Sequence, residues 1–474
     1  MKENILGREA EKDLLSRIYD SGSSEFIAVC GRRRVGKTFL VREFFEEEMV
    51  FQCAGVANAG TQEQLKSFFH TIHRYDNSVS TIPSDWMDAF EMLISYLDSL
   101  NQKRKVVFID ELPWMDTPGA HFVSALEHFW NSWASARRDI VLIVCGSATS
   151  WMMDKLINNH GGLYGRLTQR IFLSPFTLAE AEKLLISQGV SMSRYEIAEA
   201  YMIMGGIPYY LKMIDSRLSL AQNIDRLMFN PNGGLYNEFE ILYRSLFNNS
   251  ESYIKVVECL NSKGCGMTRS EIAETSGIKS GKTLTTILDN LESCGFIRRY
   301  NNYGCSERKS LFQLIDFFTL FHFRFMRDSS FRNRQYWTSL QRTPRFYAWA
   351  DISFEILSAC HINEIKRKLG ISGVATNVYS WRGKGETSDR AVQIDLVIER
   401  ADNTIDICEM KFTEQEFTIT KDYDHTLRHK LATFIEETKT RKSVQLVFVT
   451  SSGLLRNMYS GRVQAEVILD DLFV

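Results

Sequence analysis

Residues 26–48, FIAVCGRRRVGKTFLVREFFEEE, decide how the first part of the chain folds. Residues 26–30 are all apolar and predict a short buried strand, and the stretch from residue 39 onward has the spacing of a helix. Gly31 and Gly36 bracket the loop between them and let its backbone curl, so that its N–H groups point at phosphate oxygens. The segment therefore predicts a strand, a phosphate-binding loop and a helix, in that order.

The loop fits the pattern G-x-x-x-x-G-K-[ST], which is specific when a strand precedes it and a helix follows. We expect Lys37 to reach the β- and γ-phosphates of ATP and the Thr38 hydroxyl to hold Mg²⁺. The partial positive charge of the helix N-terminus favours the same phosphates. The inner positions of the loop are also candidates for nucleotide binding, although the chemistry does not require arginine there and solvated side chains are the alternative. They are Arg32, Arg33, Arg34 and Val35.

Further short apolar runs follow at 49–53, 105–110, 139–146 and 170–176. Helical stretches of ten or more residues separate several of them, and this alternation indicates a parallel α/β sheet covered on both faces. We expect this domain to end near residue 176 and a helical lid to occupy 177–250.

Acidic and hydroxyl side chains follow two of the predicted strands. Asp110 ends the run KVVFID, where a carboxylate that binds Mg²⁺ belongs, and Glu111 beside it is a candidate to polarise the attacking water. Ser147 follows the run DIVLIVCG and is a candidate sensor of the γ-phosphate or water. The alternatives are an exposed strand end for the acidic pair and an ordinary turn for Ser147.

Residues 251–315 read as two short helices, a longer helix and a two-stranded hairpin, which is the order of a winged helix-turn-helix. DNA binding would use the start of the longest helix and the hairpin, whereas a unit that only packs against protein would look similar. The polar candidates are Lys279, Lys282, Thr283, Thr285, Thr286, Arg298, Arg299, Arg308 and Lys309.

The segment 321–350 is basic and rich in aromatic residues. Its six arginines, set against Asp328, give a net charge of +5, so it could track a phosphate backbone. A buried interdomain linker whose arginines pair with acidic neighbours is the competing interpretation. The arginines are Arg324, Arg327, Arg332, Arg334, Arg342 and Arg345.

The C-terminal part, 351–474, reads as a helix, three strands, a helix and a strand. Glu409 and Lys411 are two apart on a strand and so emerge on one face, and Asp395 joins them if its strand pairs in a hairpin. Two carboxylates can hold Mg²⁺ or Mn²⁺, and the lysine can orient a water that attacks phosphorus. Glu355, on the preceding helix, could add a third carboxylate.

The first 250 or so residues resemble the archaeal-type ATPases of the STAND/AAA+ P-loop superclass. The resemblance rests on the stretches ILGREAE at 5–11, GRRRVGKT at 31–38, FIDELPWM at 108–115, CGSATSWM at 145–152, YGRLTQRIFLSPF at 164–176 and GGIPYYL at 205–211. It implies that Leu6, Gly7, Arg8 and Pro208 flank the adenine. It also makes Arg166 a candidate γ-phosphate sensor or arginine finger, although a strand-end ion pair would explain that arginine equally well.

The last domain resembles the PD-(D/E)XK nuclease core in its order of elements and in the spacing D-x13-E-x-K. The Pro-Asp of that pattern is absent, since Gln393 and Ile394 precede Asp395. A degenerate fold with solvated strand-end charges is the alternative to an intact metal site. The predicted fold class is α/β, and its parts are a P-loop ATPase core at 1–176, a helical lid at 177–250, a winged helix at 251–315, a basic helical linker at 316–350 and a nuclease-like domain at 351–474.

Length and composition agree with several folded domains. At about 150 residues per domain, 474 residues suggest about three. The formal net charge of −2 excludes a protein held to nucleic acid by bulk charge alone. Nine cysteines without a C-x-x-C pair argue for reduced thiols, and we expect a cytoplasmic protein with no membrane-spanning helix.

Two hypotheses follow from these patterns. The first is an ATP- and Mg²⁺-dependent ATPase coupled to DNA binding and to metal-dependent DNA cleavage. The second is a nucleotide-switched regulator that binds DNA or protein and carries an inactive nuclease-like domain. An oligomer is compatible with both, but a ring helicase or unfoldase fits less well because no pore-loop signature is present.

Overall fold

The computed structural model describes residues 5–147, 149–157, 163, 165–247, 249–264, 266–305, 310–327, 335–383 and 392–474. The chain separates into two compact units, Met1–Ser174 and Pro175–Val474. The division lies two residues before the predicted end of the first domain, and the finer divisions of the second unit stay predictions. No described helix combines the length and the hydropathy that crossing a bilayer requires.

A five-stranded sheet forms the centre of the first unit. Its strands are β1 (Glu25–Cys30), β2 (Met49–Ala54), β3 (Lys105–Asp110), β4 (Ile140–Cys145) and β5 (Gln169–Phe172). They lie in the order β2-β3-β4-β1-β5 and every pair is parallel, which confirms the predicted parallel α/β sheet. β3 and β4 are buried along their whole length, as strands covered on both faces are.

Within the described residues, α-helices accompany this sheet. They are α1 (Glu9–Tyr19), α2 (Lys37–Phe44), α3 (Thr61–Tyr75), α4 (Trp86–Ser99), α5 (Phe122–His128) and α6 (Thr149–Met152). β5 ends at Phe172 instead of continuing to 176, because its partner β1 ends at Cys30, which lies opposite Phe172.

The second unit begins with helices, as the predicted lid requires. They are α7 (Leu178–Ser187), α8 (Arg194–Met204), α9 (Pro208–Leu211), α10 (Leu220–Ile224) and α11 (Glu238–Leu246). Thr177, Ser193 and Ser219 each close a capping box at the start of a helix, so the sequence itself fixes where α7, α8 and α10 begin.

The next part combines three helices with a small antiparallel sheet. Its elements are α12 (Ser250–Ser262), β6 (Met267–Thr268), α13 (Arg269–Ser276), α14 (Lys282–Ser293), β7 (Ile297–Tyr300) and β8 (Leu311–Leu314). The strands lie in the order β6-β8-β7, so β6 adds to the hairpin that the sequence predicts.

Several aromatic residues of segment 321–350 belong to the core. Around Trp337, which is fully buried, the rings of Phe321, Phe325 and Trp349 lie 4.9, 5.0 and 5.5 Å away. The helices of this part are α15 (Phe317–Phe321), α16 (Tyr336–Leu340), α17 (Pro344–Cys360) and α18 (Ile362–Lys368).

The helix predicted at the start of the C-terminal part begins earlier than the pattern indicates, and it is interrupted. Thr343 caps α17 and Pro344 occupies its first turn, which places its start inside the predicted linker. His361 then separates α17 from α18, and its Nε2 accepts a hydrogen bond from the Leu178 N–H at 3.2 Å. The contact joins this helix to the start of α7.

A second five-stranded sheet closes the chain. Its elements are β9 (Thr376–Arg382), β10 (Gln393–Arg400), β11 (Thr404–Lys411), α19 (Lys421–Thr438), β12 (Ser443–Thr450) and β13 (Ala465–Ile468). The order is β13-β12-β11-β10-β9, with antiparallel pairing from β9 to β11 and parallel pairing from β11 to β13.

Glu199 of α8 is an ionisable residue in the interior of the second unit. Its side chain is 5% exposed, and Gln341 donates a hydrogen bond to it at 3.3 Å. Burial raises the pKa of Glu199 to about 7. Because an unfolded glutamate titrates near 4.5, the folded state loses stability relative to the unfolded state as pH rises from 4.5 to 7.

We therefore expect Glu199→Gln to gain stability relative to wild type as pH rises. The difference in unfolding free energy between variant and wild type should be about 1–3 kcal/mol more favourable at pH 8 than at pH 5. Urea unfolding at both pH values measures it. A difference that is the same at pH 5 and pH 8 would contradict the assigned pKa.

Candidate functional site

The loop between β1 and α2 has a backbone that only glycine can adopt at its two ends. Gly31 has φ 141°, and a Cβ there would lie 2.4 Å from the Leu173 carbonyl oxygen. Gly36 has φ 95° and forms the N-cap of α2. The two glycines therefore let the chain turn sharply from a buried strand into a helix.

Lys37 places its ammonium group inside this loop. Its Nζ donates hydrogen bonds to the carbonyl oxygens of Gly31 at 2.8 Å and Arg32 at 2.9 Å, and the side chain is 6% exposed. A positive charge is thus held where the loop curls. Among the inner residues, Arg32 and Val35 are buried and Arg33 and Arg34 are half-buried.

Thr38 and Asp110 meet across the sheet. The Thr38 hydroxyl donates to the Asp110 carboxylate at 2.7 Å, and Asp110 is 5% exposed. Asp110 is the last residue of β3, and β1 ends at the same edge because the strands are parallel. The structure therefore brings together the two oxygen groups predicted to hold Mg²⁺.

Glu111 and Ser147 form a second contact at this edge. The Ser147 hydroxyl donates to Glu111 Oε2 at 2.9 Å, and its backbone N–H donates to the same oxygen at 3.3 Å. Glu111 has φ 46°, in the left-handed region, directly after β3. This conformation turns the chain sharply away from the strand, next to Asp110.

The N-terminal segment is fastened to the phosphate-binding loop. Arg8 is buried and donates to the carbonyl oxygens of Ser174 at 2.6 Å and Val35 at 3.4 Å. Gly7 and Arg8 both have positive φ, and Leu6 beside them is half-buried. The geometry brings this predicted adenine-flanking segment to the loop.

One other predicted residue of the first unit, Arg166, is not brought to this edge. Arg166 is exposed and precedes β5, whose Phe172 lies level with Cys30, the residue before the loop. The length of β5, about 13 Å at 3.3 Å per residue, therefore separates Arg166 from the end of the sheet where the loop lies. Pro208 begins α9 in the second unit.

In the second unit, Asp395 and Glu409 lie on paired strands. β10 and β11 are antiparallel with Leu396 opposite Cys408, so the register places Asp395 opposite Glu409. The pairing of β10 with β9 shifts by one residue between Ile394 and Val397. This bulge includes Asp395, and such irregularities re-aim side chains near functional sites.

Glu409 is held by cations and a hydroxyl. Lys430 of α19 donates to it at 2.8 Å, Lys411 lies 3.5 Å away, and the Tyr423 hydroxyl also donates to it. Burial alone would raise the pKa of Glu409, but the charges of Lys430 and Lys411 outweigh it and hold the pKa below its usual value. Glu409 is therefore a compensated buried anion.

Glu355 and Asp395 share one small cavity, which we call the carboxylate pocket. Its volume is about 10 Å³, close to the room that one water or ion needs. Burial, followed by the charge of Asp395, raises the pKa of Glu355 to about 8, and burial raises the pKa of Asp395 as well. The pocket is lined by Arg298, Tyr300, Gln313, Glu355, Ser380, Arg382, Gln393 and Asp395.

A divalent cation suits this pocket. Carboxylate oxygens are the ligands that Mg²⁺ and Mn²⁺ prefer, and a bound cation would compensate the two carboxylate charges that burial disfavours. Within the described ranges, no three His, Cys, Asp or Glu side chains cluster closely enough to hold a metal together. The three-carboxylate arrangement of Glu355, Asp395 and Glu409 stays a prediction.

Sequence reasoning missed Tyr423, Lys430 and Gln393 as neighbours of these carboxylates. Tyr423 and Lys430 are seven apart on α19 and so share a helix face, a spacing that could have been noticed. Gln393 donates to Asp395 from two residues away on the same strand. Sequence reasoning also assigned Arg298 to DNA contact alone, whereas the Arg298 side chain lines the carboxylate pocket.

The predicted DNA contacts have mixed surroundings. At the start of α14, Lys279, Lys282, Thr283 and Thr286 are exposed, whereas Thr285 accepts a hydrogen bond from Arg269 at 2.7 Å. Some charged residues of the predicted hairpin and of segment 321–350 lie outside the described residues. They are Arg308, Lys309, Asp328, Arg332 and Arg334.

In segment 321–350, two arginines are already paired. Arg327 binds Glu258, and Arg342 lies 3.1 Å from Glu414. Arg345 donates to the Arg324 carbonyl oxygen at 2.9 Å. Together with the buried aromatic rings, these contacts favour the linker interpretation over a surface that tracks phosphates.

Comparison with known proteins finds a family match for the first part of the chain. Residues 6–214 match the family described as an ATPase domain predominantly from Archaea. This segment is therefore similar to archaeal-type ATPase domains. An uncharacterized protein of Methanocaldococcus jannaschii is 26% identical over 324 residues, which cover 68% of this chain and 69% of that protein.

Solved structures show weaker likeness. The Walker-type ATPase PABY2304 of Pyrococcus abyssi has a TM-score of 0.48 and 20% identity, covering 67% of this chain and 96% of its own. The ORC2 protein of Aeropyrum pernix in its ADPNP–ADP complexes has a TM-score of 0.41 and 16% identity, covering 75% and 95%. At these scores, neither likeness bears on what the chain does.

Proposed function

We propose that the chain binds ATP with Mg²⁺ and hydrolyses it at the edge of the first sheet. The observation that carries the proposal is the meeting of Thr38 with Asp110, at 2.7 Å, beside the buried ammonium of Lys37. Thr38 and Asp110 would be the magnesium-binding pair and Lys37 the phosphate-binding cation, all at the same edge of the sheet. The match of residues 6–214 to an ATPase domain supports the same conclusion.

The phosphates would be bound by the N–H groups of the loop and by Lys37, whose Nζ exchanges its two carbonyl partners for phosphate oxygens. Thr38 and Asp110 would hold Mg²⁺, which neutralises charge on the β- and γ-phosphates when bound. Glu111 would orient the attacking water and accept its proton. Ser147 fixes the Glu111 carboxylate through two hydrogen bonds to one oxygen, leaving the other oxygen for that water.

We further propose that the second unit binds DNA and cleaves it with a divalent cation in the carboxylate pocket. Asp395 and Glu355 line that pocket, and the register places Glu409 and Lys411 on the neighbouring strand. Lys411 would orient the attacking water, as the resemblance to PD-(D/E)XK nucleases implies. A nucleotide-switched regulator with an inactive C-terminal domain is the alternative. In an oligomer, Arg166 would act as an arginine finger on the nucleotide of a second copy of the chain.

Replacing Lys37 by alanine removes the cation of the loop. We expect ATP affinity to fall at least about 50-fold in Lys37→Ala, because a charge-assisted contact to phosphate is lost. Isothermal titration calorimetry measures it, and Lys103→Ala, which removes an exposed lysine of the same unit, is the control. An unchanged ATP affinity in Lys37→Ala would contradict the assignment of this loop to ATP binding.

Replacing Glu111 by glutamine keeps the size of the side chain but removes its basicity. We expect Glu111→Gln to bind ATP with near wild-type affinity and to release phosphate at least about 100-fold more slowly. Glu91→Gln, on the exposed face of α4, should hydrolyse ATP at the wild-type rate. Retained turnover in Glu111→Gln would refute the role of that carboxylate.

Cleavage of plasmid and linear DNA with Mg²⁺ or Mn²⁺, with and without ATP, tests the second unit. We expect Asp395→Ala and Lys411→Ala to abolish cleavage, because they remove a metal ligand and the group that orients water. Asp402→Asn, which changes an exposed carboxylate in the turn between β10 and β11, should cleave normally. Binding without cleavage by the wild-type protein would support the regulator.

A further inference from the structure

The hairpin of β7 and β8, which the sequence assigns to a DNA-binding wing, is anchored to the C-terminal sheet. The Tyr303 N–H donates to the Ser380 carbonyl oxygen at 2.8 Å, and Ser380 Oγ donates to the Asn302 side chain at 2.9 Å. The Tyr303 ring lies 5.5 Å from Tyr379 and 5.4 Å from Phe434, within the core of that sheet. The end of β7 is therefore fixed beside β9.

Two neighbouring arginines of β7 have different surroundings, because successive side chains of a strand point to opposite faces. Arg299 lies 3.0 Å from Asp289 and 3.1 Å from Glu292 of α14. Arg298 lines the carboxylate pocket, where its Nε donates to Gln313 at 2.8 Å and its guanidinium lies over the Tyr300 ring. Within the described residues, no carboxylate comes within ion-pair distance of Arg298.

With both carboxylates ionised, the formal charges of the pocket lining cancel. Arg298 and Arg382 offset the formal charges of Glu355 and Asp395. A divalent cation between the carboxylates would leave the same lining with a charge of +2, which attracts an anion. Since the cavity has room for about one ion, that anion must lie at its mouth, where the half-buried arginine side chains can reach.

We propose that Arg298, together with Arg382, binds a backbone phosphate of DNA at the mouth of the carboxylate pocket. The proposal rests on the proposed DNA cleavage and gives it a further component, a substrate-binding residue supplied by the β7–β8 hairpin. Guanidinium groups suit this role because their N–H donors match the geometry of phosphate oxygens. The hairpin would thus contact DNA as one wall of the nuclease-like site.

Fluorescence anisotropy of a labelled DNA duplex with the full chain tests this proposal, with Ca²⁺ or EDTA and at several salt concentrations. We expect wild-type affinity to be higher with Ca²⁺, because the cation and the phosphate bind cooperatively. With Ca²⁺, Arg298→Gln should bind about tenfold more weakly. Its plot of log affinity against log salt should lose about one unit of slope, as when one phosphate contact is removed.

Arg299→Gln is the matched control: this predicted DNA contact is instead paired with Asp289 and Glu292, so the variant should bind DNA as the wild type does. Arg298→Lys keeps the positive charge but loses the paired N–H donors of the guanidinium group. It should recover part of the DNA affinity, which tests the proposal even where Arg298→Gln folds poorly. ATP hydrolysis and thermal unfolding report on folding in each variant. Equal affinity and equal salt slope in Arg298→Gln and Arg299→Gln would overturn the role of Arg298.

DNA cleavage, measured beside DNA binding, separates the role of Arg298 from the proposed nuclease function on which it rests. If the wild-type protein cleaves DNA and Asp395→Ala does not, but Arg298→Gln binds and cleaves normally, the nuclease stands and the role of Arg298 is overturned. If the wild-type protein neither binds nor cleaves DNA with Mg²⁺ or Mn²⁺, both are overturned.

Discussion

The hydrogen bond from Thr38 to Asp110 is the contact on which the first unit's candidate site depends. It joins the start of α2 to the end of β3, two elements separated by 72 positions in sequence. The contact requires parallel strands that end at one edge, and it requires a loop that turns within a few residues. Gly31 meets the second requirement, because any side chain there would overlap the Leu173 carbonyl oxygen.

Buried charges are compensated differently in the two candidate sites. In the loop, carbonyl oxygens surround Lys37 and a hydroxyl binds Asp110, so each charge has a polar partner. In the second unit, Lys430 and Lys411 compensate Glu409, whereas burial and repulsion raise the pKa values of Glu355 and Asp395. Such unevenly compensated carboxylates are costly for folding alone and are typical of sites that take up a cation.

Much of the first unit could be predicted from sequence because its signals are local. A run of five apolar residues, a glycine-bracketed loop and a lysine followed by a threonine are contiguous, and the run that ends in Asp110 is a strand by the same pattern. The position of Arg166 could not be predicted in this way. Its distance from the loop depends on which end of β5 it precedes and on the register of β5 with β1.

The second unit was harder to predict because its decisive contacts are long-range. The convergence of Asp395 and Glu409 followed from a hairpin assumption that the register bears out. The contact between Ser380 and the end of β7 joins residues about 80 positions apart, and no local pattern predicts it. The arginines of segment 321–350 look like a phosphate-binding strip in sequence, yet aromatic residues between them are buried and Arg327 and Arg342 lie beside carboxylates.

That last case shows why composition is a weak guide to nucleic-acid contact in this chain. A net charge of +5 over 321–350 measures how many arginines are present, not which anion each one faces. Arg298 and Arg299 are adjacent and chemically identical, but the alternation of a strand gives one of them two carboxylate partners and gives the other a place in the carboxylate pocket. The partner that strand geometry assigns to each arginine, rather than the sum of charges, therefore decides which of them remains available to a phosphate.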